Sequence, residues 1–467
     1  MSNSRVFFII AFSALVIRAI VLFGTPDPPE FRYFNFDEAD YELIAKNLYE
    51  GNGYCYIEGQ PTAFRPPLYP LMIAGVYHVV GERSLSAVRW FQAFISAVTA
   101  GLIFSLGCLT FGRAAGLFAG VIFAVYPTML CFVPQLLSET AFIFLLTGAV
   151  CLLVLAIKKG AAVTFALSGL VFGAAFLCRP VLLPFLLGLF LPMMLFLARR
   201  GVIQKPLVRG AVLLLSCAIV VSPWAIRNYV VFSELIPTDT HTGWVLWHNT
   251  KVHFDFDADL ERAQRDIEAQ AAAGALTSEG FFDAIQKHSL FGAEAQLDGI
   301  RKAYNPATMP QTETEISAFF TEKSLEFFRE HKLGLVRDRI ANFINFWMPF
   351  SSIEGRKGEY LYAYGVMAVF AAIGLLIAVK RRRLLDLLPL LLIVANFWLT
   401  TTLVVYHSRL KMPADIVTIV LAGYSMDEIR REKGLKWLVC IAAGAIGLNL
   451  IAALFLPPLK QLVKAVF

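Results

Sequence analysis

The chain has 467 residues, of which 57% are hydrophobic and 16% are charged, and its formal net charge is +6. The hydrophobic share is above the roughly 45–50% of soluble globular domains, so the composition excludes an ordinary soluble protein and predicts an integral membrane protein. The basic residues lie in short clusters between apolar runs, so membrane topology explains the positive charge and no nucleic acid partner is expected.

Eleven apolar segments are predicted to be membrane-spanning helices of roughly 15–21 residues each. The first, residues 6–23, follows Arg5 as a signal peptide would, but no convincing cleavage site follows it, so an uncleaved helix is predicted. The other ten lie at residues 90–110, 114–130, 139–157, 162–178, 181–198, 211–226, 359–379, 384–404, 412–425 and 437–456. Together they predict an all-α integral membrane protein of about 11 transmembrane helices.

The basic residues between these segments predict a cytoplasmic N-terminus. With that orientation each short cytoplasmic connection that can be tested carries lysine or arginine, which is the positive-inside pattern. These cytoplasmic residues are Arg113, Lys158, Lys159, Arg199, Arg200, Lys205, Arg209, Lys380, Arg381, Arg382, Arg383, Arg430, Arg431, Lys433 and Lys436. Two long loops, residues 24–89 and 227–358, then lie on the extracytoplasmic side.

The spans and loops divide the chain into three predicted units. Residues 1–226 form an N-terminal transmembrane module that includes the first extracytoplasmic loop, 24–89. Residues 227–358 form an extracytoplasmic loop or small subdomain, in which residues 314–330 mix paired phenylalanines with charges, as an interfacial helix does. Residues 359–467 supply the C-terminal transmembrane helices.

Two short helices are predicted in the first loop. Tyr41, Ile44, Ala45 and Leu48 recur at helical spacing, which predicts an amphipathic helix that ends near Gly51. A second helix is predicted to begin at residues 66–67, because proline is accepted in a first helical turn. The residue before a proline is extended, so this arrangement presents the side chain of residue 65 at a helix entrance.

Three carboxylates stand beside apolar segments on the extracytoplasmic side, namely Asp37, Glu38 and Glu139. A partly desolvated carboxylate such as Asp37 suits a general base or a metal ligand. The alternative is structural, because residues 35–38 have the spacing of a capping box and Glu139 precedes a long apolar helix. Spacing by itself leaves both interpretations open.

Several cations fall on the same side, namely Arg65, Arg179, Arg227, Arg409 and Lys411. Each of those at a span end could simply extend its charge to the lipid headgroups. A convergent set would instead suit a phosphate or diphosphate leaving group, which arginine binds through paired hydrogen bonds. The sequence has no convincing phosphate-binding glycine loop or nucleophile elbow, so no nucleotide cofactor is expected.

The order of these motifs over about residues 5–425 resembles the GT-C membrane glycosyltransferases. The most similar group is the protein O-mannosyltransferase and aminoarabinose transferase-like family, which includes the dolichyl-phosphate-mannose-protein mannosyltransferases. The most specific likeness lies in the first loop, in Phe36-Asp37-Glu38-Ala39-Asp40-Tyr41 and Arg65-Pro66-Pro67-Leu68-Tyr69-Pro70. Later matching motifs are Ser138-Glu139-Thr140, Arg179-Pro180, Pro223-Trp224-Ala225-Ile226-Arg227-Asn228 and Ser408-Arg409-Leu410-Lys411-Met412-Pro413.

The resemblance implies a GT-C-type bundle that transfers a sugar from a polyprenyl-phosphate-linked donor to an acceptor hydroxyl outside the cytoplasm, with inversion. It implies that Asp37 is the catalytic carboxylate, with Glu38 and Glu139 as supporting acids, and that Asp37 and Glu139 are candidate ligands of a divalent metal. The residues implied to bind the donor phosphate are Arg65, Arg227, Arg409 and Lys411. The expected partners are the lipid-linked donor, a glycan, lipid or protein acceptor, and the lipids of a bacterial-type inner or plasma membrane.

Two other functions stay open. A transporter or flippase for lipid-linked sugars would place charges along a path through the bilayer. The span interiors hold few ionisable residues apart from Arg18 and Asp386, which favours a transferase. A ligase or polymerase that joins a lipid-linked glycan would differ chiefly in the size of its donor.

Overall fold

The computed structural model of the chain describes residues 1–25, 36–248, 312–347, 359–404 and 408–446. In these residues the chain is helical apart from one short antiparallel hairpin, β1 (Cys55–Ile57) and β2 (Gln60–Pro61). The helices up to residue 232 are α1 (Asn3–Gly24), α2 (Phe36–Glu50), α3 (Leu68–Val80), α4 (Leu85–Phe111), α5 (Arg113–Val125), α6 (Pro127–Cys131), α7 (Glu139–Lys159), α8 (Ala162–Cys178), α9 (Phe190–Arg199) and α10 (Pro206–Phe232). The later ones are α11 (Thr242–His248), α12 (Glu313–Glu330), α13 (Lys332–Trp347), α14 (Glu359–Lys380), α15 (Leu384–Leu403), α16 (Met412–Lys433) and α17 (Leu435–Ile446).

The all-α membrane fold is confirmed, since each of the eleven predicted spans overlaps a helix. By length and composition, six helical segments in the described residues can cross a membrane, namely α1, α4, α7, Pro180–Arg199, α10 and α15. Shorter apolar helical segments are α3, α5, α8, α17 and the part Tyr364–Lys380 of α14. The total of eleven crossings stays a prediction. Parts of the two predicted loops (26–35, 249–311 and 348–358) and of the last span (447–456) lie outside the described residues.

Two predicted spans are less regular than their hydrophobicity suggested. The segment 114–130 is divided into α5 and α6 at Tyr126, whose extended backbone (φ −69°, ψ 114°) precedes Pro127. The segment 181–198 starts as a 3₁₀ turn (Pro180–Leu182), continues as a π turn (Phe185–Leu189) and only then becomes α9. Composition predicts an apolar segment, but proline decides where its hydrogen-bond ladder breaks.

Helix α16 lies at the centre of the bundle, although its predicted span, 412–425, was the shortest of the eleven. Nearly every position from Met412 to Ser425 is buried, so the helix is enclosed on all sides by protein. Its Gly423 meets α5 closely, since an added Cβ would lie 2.6 Å from the carbonyl oxygen of Ala115. The segment directly before α16 is therefore held on a rigid support.

Helices α8 and α10 pack backbone to backbone at Gly169, where an added Cβ would lie 2.1 Å from the Leu213 carbonyl oxygen. Gly169→Ala is therefore expected to lower the free energy of unfolding by about 1–3 kcal/mol, because the two helices must move apart. Thermal unfolding in detergent measures the effect. Gly75→Ala in α3 is the control, because no atom lies within 4 Å of its added Cβ. Equal melting temperatures for the two variants would contradict the packing described here.

A buried arginine explains how the broken end of α5 is tolerated in an apolar bundle. Arg18 of α1 is 0% exposed, and its Nη1 donates to the Ala124 carbonyl oxygen at 3.1 Å. Its Nε donates to the Ser96 hydroxyl at 2.8 Å. A carbonyl that loses its helical partner near a helix end needs another donor, and Arg18 supplies one. This charge in a span interior thus has a structural use.

The two loops are joined to each other. Glu313, at the start of α12, accepts hydrogen bonds from the Thr62 hydroxyl and, at 2.9 Å, from the Ala63 backbone N–H. The Thr240 N–H donates to the Ala63 carbonyl oxygen at 3.0 Å. The second loop therefore holds the short segment that leads into Arg65.

Candidate active site

The first turn of α2 places three functional side chains on one face. Asp37, Asp40 and Tyr41 stand at positions i, i+3 and i+4, which are neighbours on a helix surface. The helix spans Phe36–Glu50, in agreement with the end predicted near Gly51. Helix α3 begins at Leu68, one residue after the predicted prolines, so Arg65 lies in the segment that enters it.

Arg65 lies between two carboxylates of α2. Its Nη2 donates to Asp37 Oδ1 at 2.7 Å and to Asp40 Oδ2 at 2.6 Å, and its Nε donates to Asp40 Oδ2 at 2.9 Å. The guanidinium carbon is 5.4 Å from the centroid of the Tyr41 ring. Only 7% of Arg65 is exposed, so its charge is compensated by protein and not by water.

A second arginine binds Asp37 from the opposite side of the bundle. Arg409 Nη2 lies 2.7 Å from Asp37 Oδ2, and Arg409 Nε lies 3.9 Å from Glu139 Oε1. Glu139, the first residue of α7, is in turn bound by Arg179 Nη1 at 2.6 Å. The site is therefore a connected series of alternating charges, Asp40, Arg65, Asp37, Arg409, Glu139 and Arg179.

The adjacent charges of Arg65 and Arg409 keep Asp37 ionised. Burial by itself would raise the pKa of this carboxyl, but the adjacent charges of Arg65 and Arg409 outweigh it and hold the pKa well below its usual range. Asp37 is thus a carboxylate at any physiological pH. A quarter of its side chain is exposed, so it is also accessible from outside the protein.

Glu38, its neighbour in the sequence, has a different environment. Only 5% of Glu38 is exposed, and burial raises its pKa to about 8. Because one helix turns 100° per residue, Asp37 and Glu38 face different surroundings. The structure separates the two acids into an ionised one in the charge series and one that favours its protonated form.

This difference predicts how stability depends on pH. A carboxyl with a raised folded-state pKa stabilises the protein at low pH, and that contribution is lost as the pH rises from the unfolded value of about 4.3 through about 8. Glu38→Gln stays neutral, so its unfolding temperature is expected to fall less than that of the wild type over this range. Thermal scans from about pH 5 to 8 test this. The exposed Glu50→Gln on the same helix is the control, and identical pH profiles for all three proteins would refute the assignment.

The other two cations predicted to bind the donor phosphate, Arg227 and Lys411, have other partners than the charge series. Arg227 in α10 donates to the backbone carbonyl oxygens of Thr62 at 2.7 Å and Tyr54 at 3.2 Å, and it contacts the Trp224 ring. These contacts fasten the hairpin loop to α10. Lys411 is 6% exposed, and its Nζ lies 3.1 Å from the centroid of the Tyr364 ring.

Some members of the site were not assigned from the sequence. Asp40 is the second partner of Arg65, and its position three residues after Asp37 in a helix was the available signal. Arg179 was predicted as one of the converging cations but without a partner, and it binds Glu139, with its Nη1 3.4 Å from the Ser138 hydroxyl. The Tyr41 hydroxyl lies 3.4 Å from the same Ser138 oxygen. Only the tertiary structure reveals these pairs.

A small cavity adjoins the charge series where the loop meets the bundle. Glu139, Arg179 and Arg409 line one part of it, and the side chains of Phe142, Ile143 and Phe397 are among those that line the rest. Two guanidinium groups thus stand at the edge of an apolar surface. The cavity has a volume of about 10 Å³, which is room for about one water molecule, so a larger ligand could enter only if these side chains moved apart.

Asp37 and Glu139 are the two carboxylates predicted as candidate metal ligands. Both oxygens of Asp37 are paired with arginine, and Glu139 is paired with Arg179. Within the described parts of the chain, no group of three or more histidine, cysteine or acidic side chains could hold a metal ion. The donor set of Asp37 and Glu139 therefore does not fit a metal ion in this arrangement, because both carboxylates are used by guanidinium groups.

Residues 64–226 match the family model described as dolichyl-phosphate-mannose-protein mannosyltransferase. None of the curated protein sequences compared with the chain matches it. Among solved structures, the chain is similar to the oligosaccharyltransferase AglB from Archaeoglobus fulgidus in complex with an inhibitory peptide and a dolichol-phosphate. The identity is 15%, the TM-score is 0.52, and the match covers 97% of this chain and 54% of that chain.

Two further structures are similar. An oligosaccharyltransferase from Archaeoglobus fulgidus, in complex with Zn and sulfate, has 13% identity and a TM-score of 0.51, with 96% of this chain and 52% of that chain covered. ArnT from Cupriavidus metallidurans, bound to undecaprenyl phosphate, has 14% identity and a TM-score of 0.42, with 92% and 80% covered. The chain spans about half the length of the oligosaccharyltransferases, and at these identities the likeness concerns the fold. The chain thus has the GT-C fold of membrane glycosyltransferases, and its residues 64–226 match the mannosyltransferase-like family of that class.

Proposed function

We propose that this chain is a membrane glycosyltransferase that moves a sugar from a polyprenyl-phosphate-linked donor to an acceptor hydroxyl, with inversion at the anomeric carbon. The observation that carries the proposal is the position of Asp37 between Arg65 and Arg409, at 2.7 Å from each. Such a site holds a base and the counter-charges of a phosphate in one place. Both are needed to break a glycosyl phosphate.

In the proposed reaction the acceptor oxygen attacks the anomeric carbon of the donor. The new bond joins that oxygen to the carbon, and the bond from the carbon to the phosphate oxygen breaks with its electron pair left on the phosphate. Asp37 takes the proton of the acceptor hydroxyl. Arg409 and Arg65, together with Arg179, would stabilise the negative charge that develops on the leaving phosphate.

The low pKa of Asp37 has a consequence for the order of binding. A carboxylate that two guanidinium groups stabilise so strongly is a weak base, because basicity follows the pKa. A donor phosphate would compete with Asp37 for Arg409 and Arg65, and the loss of these hydrogen bonds would raise the basicity of Asp37. We therefore infer that the donor binds first and activates the base.

The proposed donor site lies beside Arg179 and Arg409, where the apolar side chains of Phe142, Ile143 and Phe397 would have to move apart to accept the first part of the lipid chain. Dolichol-phosphate bound to AglB is an example of such a ligand in a protein of the same fold. Lys411, buried beside Tyr364, would contribute positive charge to this region. Arg227 would act indirectly, through the loop that carries Arg65.

The active site is proposed to face the extracytoplasmic side. The arginine and lysine residues between α9 and α10, and those from the last turn of α16 to the start of α17, would lie on the cytoplasmic side, in accord with the positive-inside rule. The three predicted units, 1–226, 227–358 and 359–467, would then form one transmembrane body with an extracytoplasmic insertion.

A reconstituted assay tests the function. Protein in lipid vesicles is offered a panel of polyprenyl-phosphate sugars with candidate glycan, lipid and peptide acceptors, and transfer is read by mass spectrometry. A chelator arm measures whether transfer needs a divalent ion. Sugar transfer with an inverted anomeric configuration supports the proposal. Movement of the donor across the vesicle membrane without any transfer would instead identify a transporter.

A further inference from the structure

A second concave surface lies beside the candidate active site, in the second loop. It has a volume of about 580 Å³ and is lined by the segment 234–240 on one side and by α12 on the other. It is distinct from the small cavity that adjoins Glu139 and Arg409. This surface, the loop groove, is not used by the chemistry described above.

One face of α12 forms a wall of the loop groove, and its side chains are mostly small or hydroxylated. They recur at helical spacing, which places them on a single face. Those residues are Thr314, Ser317, Ala318, Thr321, Glu322 and Leu325. An adjacent face of the helix carries the buried Phe320 and Ser324, whereas Ala318, Glu322 and Leu325 on the groove face are exposed.

Close contacts and hydrogen bonds hold the two walls of the loop groove in place. Gly243 of α11 touches α12 so closely that an added Cβ would lie 2.0 Å from the Ser317 carbonyl oxygen. Glu234, on the other wall, accepts a hydrogen bond from the Thr314 hydroxyl at 3.1 Å. The anchor of Glu313 on Ala63 fixes the same helix to the first loop. Its two walls are therefore held at a set separation.

The groove also adjoins the segment that presents Arg65. Thr240 lines the groove and donates its N–H to the Ala63 carbonyl oxygen. The next residue, His241, packs its ring on the Phe64 ring with 4.7 Å between centroids. A ligand in the groove would thus lie next to the loop that leads to the reacting groups.

The polar chemistry of the groove is that of a hydroxyl-binding site. The Asp239 Oδ1 accepts the His241 N–H at 3.0 Å, while its buried Oδ2 has no hydrogen-bond partner among the described residues. Burial raises the pKa of this carboxyl to about 6. Three carboxylates, Glu234, Asp239 and Glu322, face one basic residue, Arg329, so an anionic ligand is disfavoured.

We propose that the loop groove binds the acceptor and that the acceptor is a neutral saccharide. This proposal rests on the proposed function, because it assigns the second substrate of that reaction. Carboxylates accept hydrogen bonds from sugar hydroxyls, and the serine and threonine hydroxyls of α12 can both accept and donate them. A peptide is the less suitable occupant, since peptides are usually held through their backbone at a sheet edge or in an apolar groove.

Direct binding tests the proposal without depending on catalysis. The full-length protein in lipid nanodiscs is mixed with neutral tetrasaccharides of mannose, glucose, galactose or N-acetylglucosamine, and binding is followed by saturation-transfer NMR. Ala318→Trp fills the groove from an exposed position of α12 and is expected to weaken saccharide binding by at least about tenfold. Glu330→Trp, on the same helix but away from the groove, is the matched control and should bind as the wild type does. Asp239→Asn, which keeps the Oδ1 acceptor, should weaken binding by a smaller factor.

The outcomes separate the two proposals. If no tetrasaccharide binds the wild type, or if Ala318→Trp binds as well as Glu330→Trp, the proposal that the loop groove binds a saccharide is refuted. Binding of a serine- and threonine-containing decapeptide that Ala318→Trp abolishes, without saccharide binding, would replace the saccharide with a peptide acceptor. Saccharide binding that Ala318→Trp abolishes, in a protein that transfers no sugar from any donor, would retain the groove and reject the transferase.

Discussion

Asp37→Asn is expected to reduce sugar transfer by about 10²–10⁴-fold while leaving the protein folded and able to bind undecaprenyl phosphate, because an amide cannot take the proton of the acceptor. The fold should persist, since Arg65 keeps its hydrogen bonds to Asp40 and Arg409 stays near Glu139. Initial rates in nanodiscs and binding of undecaprenyl phosphate provide the two measurements. Because arginine holds the pKa of Asp37 well below its usual range, protonation of Asp37 should not limit the wild-type rate above about pH 5.

Two matched variants sharpen this experiment. Glu38→Gln removes the adjacent acid, whose pKa burial raises to about 8, and should retain most of the activity. Asp37→Glu keeps the charge but moves it by one methylene, and a displacement of about 1 Å can cost about 10²-fold in rate. Wild-type turnover by Asp37→Asn would remove this residue from the mechanism. Loss of activity in Glu38→Gln alone would transfer the catalytic role to Glu38.

Arg65→Gln is expected to lower the free energy of unfolding by about 3–5 kcal/mol, because it leaves two carboxylates without their common partner. The side chains of Arg65 and Asp40 are 9% and 8% exposed, so water cannot replace the lost hydrogen bonds. Asp37 keeps Arg409, and the penalty therefore falls mainly on Asp40. Chemical denaturation in detergent micelles measures the difference.

The control for this variant is an ion pair on the same helix. Lys46 and Glu50 lie 4.0 Å apart with 35% and 43% of their side chains exposed, so Lys46→Gln should change stability by less than about 1 kcal/mol. The double variant Arg65→Gln with Asp40→Asn removes the unpaired charge and should recover part of the loss. If Arg65→Gln unfolds no more readily than Lys46→Gln, the Arg65 pair does not stabilise the loop.

Much of the architecture follows from local sequence. An apolar segment long enough to cross the bilayer can satisfy its backbone hydrogen bonds within itself only as a helix. The membrane spans could therefore be located from the hydropathy of the sequence. The period of Tyr41, Ile44, Ala45 and Leu48 likewise predicted α2. The break at Tyr126 also follows from a local rule, since proline constrains the residue before it. The mean hydropathy of a sequence window does not reveal such a break in a helix.

In the candidate site, the identity of the charged residues follows from the sequence, whereas their partners follow from the tertiary structure. The sequence shows that Asp37, Arg65, Glu139 and Arg409 are charged residues next to apolar segments. A charge beside a membrane-spanning segment is energetically costly, so these residues could be recognised as unusual. It could not show that Arg65 forms an ion pair with Asp40, or that Arg227 donates hydrogen bonds to the hairpin loop. Those partners are 25 and 165 residues distant in the chain, and only the folded bundle brings them within hydrogen-bond reach. A side chain's charge is local, whereas its pKa and its partner depend on what the fold places around it.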